Sequence, residues 1–257
     1  MITLTRVAQA PSTVRTGQDL LEANLAFYDP LWKQSRLVSP DRFNTWPFVQ
    51  SLLATPQSRL EVGPGLRPRL PLEGTCFVDA SLPAVDKLRR HGASAEVALV
   101  SSIPFGDGTF DLVAAFDIVE HVDDDDAALS ELSRVSAPAA TVLLSAPLHA
   151  SRWTKFDDLV GHRRRYEPGQ LVSKLAHYGL SVVGTAVYGM QPRSSLLLDF
   201  GVWGLTHRRD RAIWWYDRVM LQLGARFQKK LVVVPGMMDV TNVDEVLLAC
   251  RKTPDGP

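Results

Sequence analysis

Short apolar runs alternate with helical patterns through the middle of the chain. Six of these runs predict strands, near residues 58–62, 75–79, 96–100, 111–116, 140–145 and 181–188. Most of these runs contain consecutive apolar residues rather than a strict alternation with polar ones, so both faces of the strands should be buried. The pattern therefore predicts a largely parallel sheet with helices on both sides and a ligand site at the carboxyl ends of its strands.

Two helical regions flank this alternation. Residues 16–56 carry leucines and aromatic side chains at one-face helical spacing, and Pro40 could begin a further helix there. Residues 190–242 form an insertion of about fifty residues before a last apolar run at 243–252, with an aromatic helix predicted over residues 211–230. An insertion of this length usually has a function or a structure of its own. We interpret it as either a lid or a dimer surface.

A carboxylate and two glycines end the first apolar run. Glu61, Gly63 and Gly65 lie within five residues, and Asp79 ends the next run fourteen residues after Gly65. Glycine lets the backbone pass close to a ligand, and the helix start that follows offers free N–H groups. An acid at the second strand end can accept both ribose hydroxyls. The spacing indicates a nucleoside-binding unit, although a tight surface turn would also explain the two glycines.

Further motifs follow in a fixed order: Pro104-Phe105 leading to Phe110-Asp111, then Asp117-Ile118-Val119-Glu120-His121, then the apolar residues 141–147. Together with the glycine motif, they resemble the class I S-adenosylmethionine-dependent methyltransferases that act on small molecules, over roughly residues 58–190. The resemblance implies a Rossmann-like, doubly wound, seven-stranded and mostly parallel sheet that binds S-adenosylmethionine. It also implies a single domain with an N-terminal helical cap (1–56), a cofactor-binding core (57–189), a helical insertion or lid (190–242) and a last strand (243–252).

Motif positions imply ten cofactor-binding residues: Glu61, Gly63, Pro64, Gly65, Asp79, Ala80, Ser81, Ser102, Asp117 and Ile118. The glycine bend should approach the methionine part, with Glu61 ordering the loop, while Asp79 should accept from the ribose. Family members often place an acid just before the Pro-Phe segment to hold the adenine amino group. This chain has Val100, Ser101 and Ser102 there, so a serine hydroxyl or a backbone carbonyl is expected to take its place.

Histidines are the candidate bases, because the pKa of imidazole suits proton removal near neutrality. His121 lies in the Glu-His pair, and His162 opens the run Gly161-His162-Arg163-Arg164-Arg165-Tyr166; the two are equal candidates, with His149 behind them. The run resembles a loop that often borders the acceptor in related methyltransferases. The expected substrate-binding residues are Tyr28, Trp32, His149, Arg165 and Tyr166. The structural alternative is that Arg165 and Tyr166 fix the loop to an acid or a helix end, and that the cap aromatics pack on the sheet.

Composition narrows the partners. The chain has 28 basic and 28 acidic residues, so its formal net charge of zero argues against nucleic acid as a partner. No apolar run approaches twenty residues, so no membrane partner is expected. Cys76 and Cys250 are far apart within apolar runs, as in cytoplasmic proteins with reduced thiols. A small-molecule substrate and a cytoplasmic location are expected.

The run of four aspartates at 123–126 precedes a predicted helix, so helix capping is favoured over metal binding, and no metal site is expected. The favoured function is methyl transfer to a small, hydrophobic, hydroxylated acceptor, with oxygen preferred because histidines flank the site. Two alternatives stay open. One is an S-adenosylmethionine-binding protein with a rearranging or regulatory role. The other is an NAD-dependent oxidoreductase, although Arg67-Pro68 stands where its third glycine would be.

Overall fold

The computed structural model describes residues 17–55, 57–189, 195–226 and 228–253. Within them, one sheet contains β1 (Arg59–Val62), β2 (Thr75–Asp79), β3 (Ser94–Val97), β4 (Phe110–Phe116), β5 (Ser136–Pro147), β6 (Leu180–Val187), β7 (Val234–Pro235) and β8 (Glu245–Lys252). The α-helices are α1 (Gly17–Gln34), α2 (Trp46–Leu52), α3 (Leu82–Arg90), α4 (Asp125–Val135), α5 (Lys155–Val160), α6 (Pro168–His177), α7 (Ser195–His207), α8 (Arg209–Trp215) and α9 (Leu221–Arg226). Short 3₁₀ turns occur at Pro40–Arg42, Val119–His121 and Ala150–Arg152.

The strand order is β3-β2-β1-β4-β5-β8-β6-β7. Strands β1 to β5 are parallel to one another, whereas β8 runs antiparallel between β5 and β6. The chain leaves β1 toward β2 on one side and leaves β4 toward β5 on the other. These two connections therefore leave a crevice between them at the carboxyl ends of β1 and β4. The predicted doubly wound, mostly parallel sheet is confirmed.

Two details of the sheet differ from the prediction. The sheet has eight strands rather than seven, because Val234 and Pro235 of the insertion pair with β6 as a two-residue edge strand. Proline cannot donate to a further strand, which suits an edge position. The third strand spans Ser94–Val97 instead of 96–100, because its partner β2 ends at Asp79, opposite Val97.

The aromatic helix predicted over 211–230 is divided in the structure. A π-helical segment, Tyr216–Met220, separates α8 from α9. Ile213, Asp217 and Leu221 are buried at a spacing of four residues, which is wider than an α-helical turn. The wider π turn keeps these three positions on one buried face. Phe227, which ends the predicted aromatic set, lies outside the described residues.

Alternate residues of β4 pack on opposite faces of the sheet. Val113 and Ala115 belong to the cluster that contains the α4 leucines, whereas Leu112 and Ala114 pack with the cluster that contains Val49 of α2. The period of two residues explains why this strand reads as a continuous apolar run. Both faces are filled by helices, so polar groups on the central strands are left at their carboxyl ends. None of the described helices combines the length and apolar character needed to cross a bilayer.

Candidate functional site

A cleft of about 520 Å³ opens at the carboxyl ends of β1, β2 and β4. Its walls include residues 61–65 after β1, residues 79–81 after β2 and residues 116–118 after β4, and Tyr28 and Trp32 of α1 cover it. The volume is typical of a small-molecule site. Segments that lie far apart in the sequence therefore meet in one cleft, as the glycine and acid motifs predicted.

Asp79 joins the first two of these segments. Its Oδ2 accepts a hydrogen bond from the Gly65 N–H at 2.8 Å, and its Oδ1 accepts one from the Ser81 N–H at 2.8 Å. Burial raises the pKa of Asp79 to about 6, although both N–H groups favour the carboxylate. Each oxygen retains a second acceptor position, which suits a pair of neighbouring hydroxyls.

The glycines of the bend are required by their protein neighbours. Gly63 and Gly65 have positive φ values of 67° and 54°. A Cβ on Gly65 would lie 2.2 Å from a ring carbon of Trp32, and a Cβ on Gly63 would lie 2.0 Å from the Ile118 Cδ1. These glycines were expected to let a ligand come close to the backbone, whereas the atoms that leave no room for a Cβ belong to Trp32 and Ile118.

Glu61 orders the loop that follows the bend. Its carboxylate accepts hydrogen bonds from the backbone N–H groups of Arg69 and Leu70, at distances of 2.8 to 3.0 Å. Burial raises the pKa of Glu61 to about 7, against the effect of these hydrogen bonds. The loop is thereby fixed at both ends, by Asp79 at Gly65 and by Glu61 at Arg69.

Arg67 is a functional candidate that the sequence argument missed. Its guanidinium carbon lies 5.2 Å from the ring centroid of Trp32 and 4.8 Å from that of Tyr216, and the residue lines the cleft. Its Nε and Nη2 are buried and have no hydrogen-bond partner among the described residues. Unpaired buried donors of this kind fit a carboxylate, such as that of a bound amino acid. An arginine two residues after a glycine bend was the available signal.

The far end of the cleft is lined by Ala80 together with residues 98–101. Ser101 is part of this wall, whereas the predicted Ser102 is exposed and is not among the lining residues. Ser81 also lines the cleft, but its hydroxyl accepts from the Ala84 N–H at the start of α3 and donates to Asp29. A flat ligand here would meet mostly apolar groups.

Acidic groups lie behind the opposite end, after β4. Asp117 has a positive φ of 54°, and its Oδ1 accepts from the Ser145 hydroxyl at 2.5 Å. Glu245, at the start of β8, lies beside the Asp117 carboxyl, and burial and then this neighbour hold the pKa of Glu245 well above its usual range. Arg69 donates to the Tyr188 hydroxyl at 3.1 Å beside them. This end of the cleft is polar and carries paired carboxyls.

His121 faces the cleft, and its Nε2 lies 3.4 Å from the Tyr28 hydroxyl. Part of the ring borders the cleft, yet its surroundings are enclosed, and burial together with the nearby His162 lowers the pKa of His121 to about 3. The ring is therefore neutral at pH 7. His162 lies behind it, with ring centroids 4.6 Å apart, and its Nδ1 is 2.7 Å from the Asp157 Oδ1. Of the two equal candidates, the structure brings His121 and not His162 to the cleft wall.

Arg165 and Tyr166 do not line the cleft. The Arg165 guanidinium is buried and donates to both oxygens of Asp157, at 2.9 and 3.0 Å. The Tyr166 hydroxyl donates to Asp125 at 2.8 Å, and burial raises the pKa of Tyr166. A buried carboxylate needs such a partner, so these contacts agree with the structural alternative. His149 lies in a separate depression with residues 237–241, and its Nε2 is 2.9 Å from the Val240 carbonyl oxygen.

One cluster could hold a metal ion. Glu120, His121 and His162 offer three ligand atoms that lie within 4.8 Å of one another. Tetrahedral zinc with bonds of about 2.1 Å would need ligand atoms about 3.4 Å apart, whereas the His162 Nε2 and the Glu120 Oε1 are 3.9 Å apart, so the side chains would have to move closer together. The aspartate run behaves as the capping argument predicts, since Asp124 Oδ1 accepts from the Ala127 N–H at the start of α4.

A family model described as a methyltransferase domain matches residues 63–144. This segment begins at the glycine bend and ends within β5, so it includes both Asp79 and Asp117. A curated relative, norajmaline N-methyltransferase of Rauvolfia serpentina, is 38% identical over 56 residues. That match covers 22% of this chain and spans 19% of the relative's length.

Solved structures share the fold at low sequence identity. A Thermotoga maritima protein, described as a SAM-dependent methyltransferase and possible histamine N-methyltransferase, has a TM-score of 0.60 at 13% identity; the match covers 91% of this chain and all of that chain. A phosphoethanolamine N-methyltransferase of Haemonchus contortus, solved with phosphomonomethylethanolamine and S-adenosylhomocysteine, has a TM-score of 0.54 at 17% identity. That match covers 93% of this chain and 61% of the Haemonchus chain.

Proposed function

We propose that the chain, which matches a methyltransferase domain model over residues 63–144 and shares its fold with S-adenosylmethionine-dependent methyltransferases, transfers a methyl group to a small, hydrophobic, hydroxylated acceptor. The observation that carries the proposal is the contact between Asp79 and Gly65, which places a carboxylate and the glycine bend in one cleft. Tyr28 and Trp32 would cover the acceptor from α1. The whole reaction takes place in a cleft that this arrangement partly shields from water.

The cleft offers a partner for each polar part of the cofactor. The second acceptor positions of Asp79 would take the ribose hydroxyls, and the unpaired donors of Arg67 would take the carboxylate. Ala80 and residues 98–101 would flank adenine in place of the expected Ser102. When bound, S-adenosylmethionine supplies the electrophilic methyl group. The remaining task of the chain is to hold the acceptor in line, which alone can lower a barrier by roughly 7–11 kcal/mol.

His121 is proposed as the group that accepts the proton of the hydroxyl. It is neutral at pH 7, it faces the cleft, and the Tyr28 hydroxyl is beside its Nε2. A pKa of about 3 makes the His121 ring a weak base, so it would accept a proton from an acidic hydroxyl, such as a phenol, and not from an alkyl alcohol. His162 and Asp157 would hold the ring in place from behind.

Nitrogen methylation is the second candidate, and the carboxyls at the acceptor end favour it. Asp117 and Glu245 lie close together beside the cleft, and Glu120 is buried nearby. Burial and mutual repulsion raise the pKa of Glu245 and of Glu120, so a protonated amine beside them would relieve that repulsion and favour their ionised forms. The curated relative and both structures described above also carry N-methyltransferase names.

The test combines a binding and a turnover measurement. Isothermal titration measures S-adenosylmethionine affinity, and S-adenosylhomocysteine release is followed with a panel of phenols, alcohols and amines. His121→Gln should lower turnover of hydroxyl acceptors by about 100-fold or more while leaving cofactor affinity unchanged. His91→Gln, at an exposed position after α3, is the matched control.

Other outcomes of the same measurements would support one of the alternative functions. Undiminished turnover of hydroxyl acceptors by His121→Gln would remove the base assignment, and turnover of amines alone would select the second candidate. Cofactor binding without product across the panel would favour a rearranging or regulatory role. Quenching of the protein's tryptophan fluorescence by NADH, without binding of S-adenosylmethionine, would instead support the NAD-dependent oxidoreductase.

A further inference from the structure

The helical insertion exposes a set of large apolar side chains to solvent. We call it the outer face, and it is defined by Trp203, Trp214, Trp215, Met220 and Leu223. Each of these side chains is about half exposed or more, with Trp215 at 57% and Met220 at 56%. Soluble monomers rarely expose several large apolar side chains on one short segment without using them.

The opposite side of the same helices is packed against the body of the protein. Ile213 and Leu221 are buried, and the buried Asp217 carboxylate accepts from the Arg36 N–H at 3.2 Å. Arg209 donates to the backbone carbonyl oxygen of Phe27 in α1 at 2.6 Å. The insertion is therefore held against the rest of the protein by these buried contacts, while the side chains of the outer face stay exposed.

Positive charge surrounds the outer face. Residues 208–230 contain seven basic and two acidic residues, an excess of five positive charges in a chain whose formal net charge is zero. Six of the basic residues are exposed: Arg208, Arg211, Arg218, Arg226, Lys229 and Lys230. One of the two acids, Asp217, is buried, and the other, Asp210, accepts from the Gln34 side chain at 2.9 Å. The exposed charge of this segment is almost entirely cationic.

We propose that the outer face is a docking surface for a bilayer that carries anionic lipid headgroups. Tryptophan, methionine and leucine side chains can enter the boundary between headgroups and acyl chains, while arginine and lysine meet the phosphates. Tryptophan is the residue that prefers this boundary most strongly, and three of the five outer-face residues are tryptophan. The chain would lie on the membrane surface, which differs from the sequence expectation of no membrane partner.

Other occupants fit the same surface less well. A two-fold contact with a second copy would bring two cationic faces together, which is electrostatically unfavourable. Nucleic acid would use the cations, but the exposed Met220 and Leu223 have no partner on a phosphate backbone. An anionic bilayer uses both parts of the surface. The inference goes beyond the proposed function and does not depend on the identity of the acceptor.

Vesicle sedimentation of the full chain tests the proposal. Phosphatidylcholine vesicles are compared with vesicles of phosphatidylcholine mixed with phosphatidylglycerol, at low and high salt. The wild-type chain should bind the anionic vesicles at least about tenfold more strongly, and salt should reduce this preference. Tryptophan fluorescence should shift to the blue on binding, because indole rings leave water.

Paired variants separate the apolar and the cationic contributions. Trp214→Gln with Trp215→Gln, and in a second protein Arg211→Gln with Arg218→Gln, should each weaken binding at least about fivefold. Leu82→Gln with Arg90→Gln is the matched control, since both residues are exposed on α3. Circular dichroism and cofactor titration of each variant establish that the fold is retained.

Three results would overturn the inference. The first is wild-type protein that stays in the supernatant with both vesicle types. The second is a concentration-dependent dimer that the tryptophan variants abolish, without vesicle binding. The third is tight, salt-dependent binding of an oligonucleotide in the absence of lipid binding. Each of these is independent of methyl transfer, so failure here leaves the proposed function untouched.

Discussion

Replacing Asp79 by asparagine tests the centre of the cleft. The change removes the charge and turns one carboxylate oxygen into an amide group, which cannot accept a hydrogen bond. One charge-assisted hydrogen bond to the ribose would be lost, which is worth about 1.5–3 kcal/mol. We therefore expect the affinity for S-adenosylmethionine at pH 7 to fall roughly 10- to 150-fold.

The effect on folding should be much smaller, because two terms oppose each other. The amide would face one of the N–H groups of Gly65 or Ser81 that the carboxylate now satisfies, which costs about 1–3 kcal/mol. Burial raises the pKa of Asp79 from 3.8 to about 6, so removal of the ionised group relieves about 3 kcal/mol at pH 7. Because these two contributions to the free energy of unfolding nearly cancel, the variant should fold normally but bind S-adenosylmethionine more weakly.

Titration calorimetry with S-adenosylmethionine and thermal melting provide the measurements, and Asp86→Asn on the exposed side of α3 is the control. Wild-type affinity should also decline as the pH falls through about 6, since binding favours the carboxylate, while Asp79→Asn should show no such decline. A variant that binds within threefold of the wild type, with an unchanged pH profile, would refute the assignment of Asp79 to the ribose.

Two further predictions concern the loop around the site. Gly65→Ala should weaken cofactor binding, and it should destabilise the fold more than Gly92→Ala does. Both glycines have positive φ, a conformation that costs alanine about 1–2 kcal/mol. Only at Gly65 would the added Cβ also collide with the ring of Trp32. Equal destabilisation in urea would disprove the role of Trp32. The pKa of Glu61 is about 7 in the folded protein and 4.5 in the unfolded chain, so the folded state binds more protons than the unfolded state between these pH values. The free energy of unfolding should therefore fall by about 3 kcal/mol from pH 4.5 to pH 7. Glu61→Gln should remove this decrease in the free energy of unfolding. If stability falls with pH equally in the variant and the wild type, the burial of Glu61 is not its cause.

The parts of the fold that depend on local pattern could be predicted from the sequence. The run ending in Glu61 and the run ending in Asp79 identify neighbouring parallel strands, because each apolar run is followed by a polar group at the carboxyl end. Carboxyl ends of parallel strands share one edge of the sheet, so spacing together with the family resemblance predicted that Gly65 and Asp79 share one cleft.

Positions that depend on distant partners could not be predicted in this way. Ser101, and not the predicted Ser102, lines the cleft, and the third strand ends at Val97, opposite the end of β2, rather than at residue 100. The role of Arg67 depends on Tyr216, which is 149 residues away. The interpretation of Arg165 depends on the burial of Asp157, and no spacing in the sequence distinguishes a buried ion pair from an anion site.

The stack of Arg67 between Trp32 and Tyr216 has a consequence for ligand binding. One ring belongs to α1 and the other to the insertion, while the guanidinium itself follows the glycine bend. An anion bound to the unpaired Nε and Nη2 of Arg67 would therefore be linked to the glycine bend, to α1 and to the insertion at the same time. The insertion would then contribute to ligand binding through Tyr216, although none of its described residues lines the cleft itself.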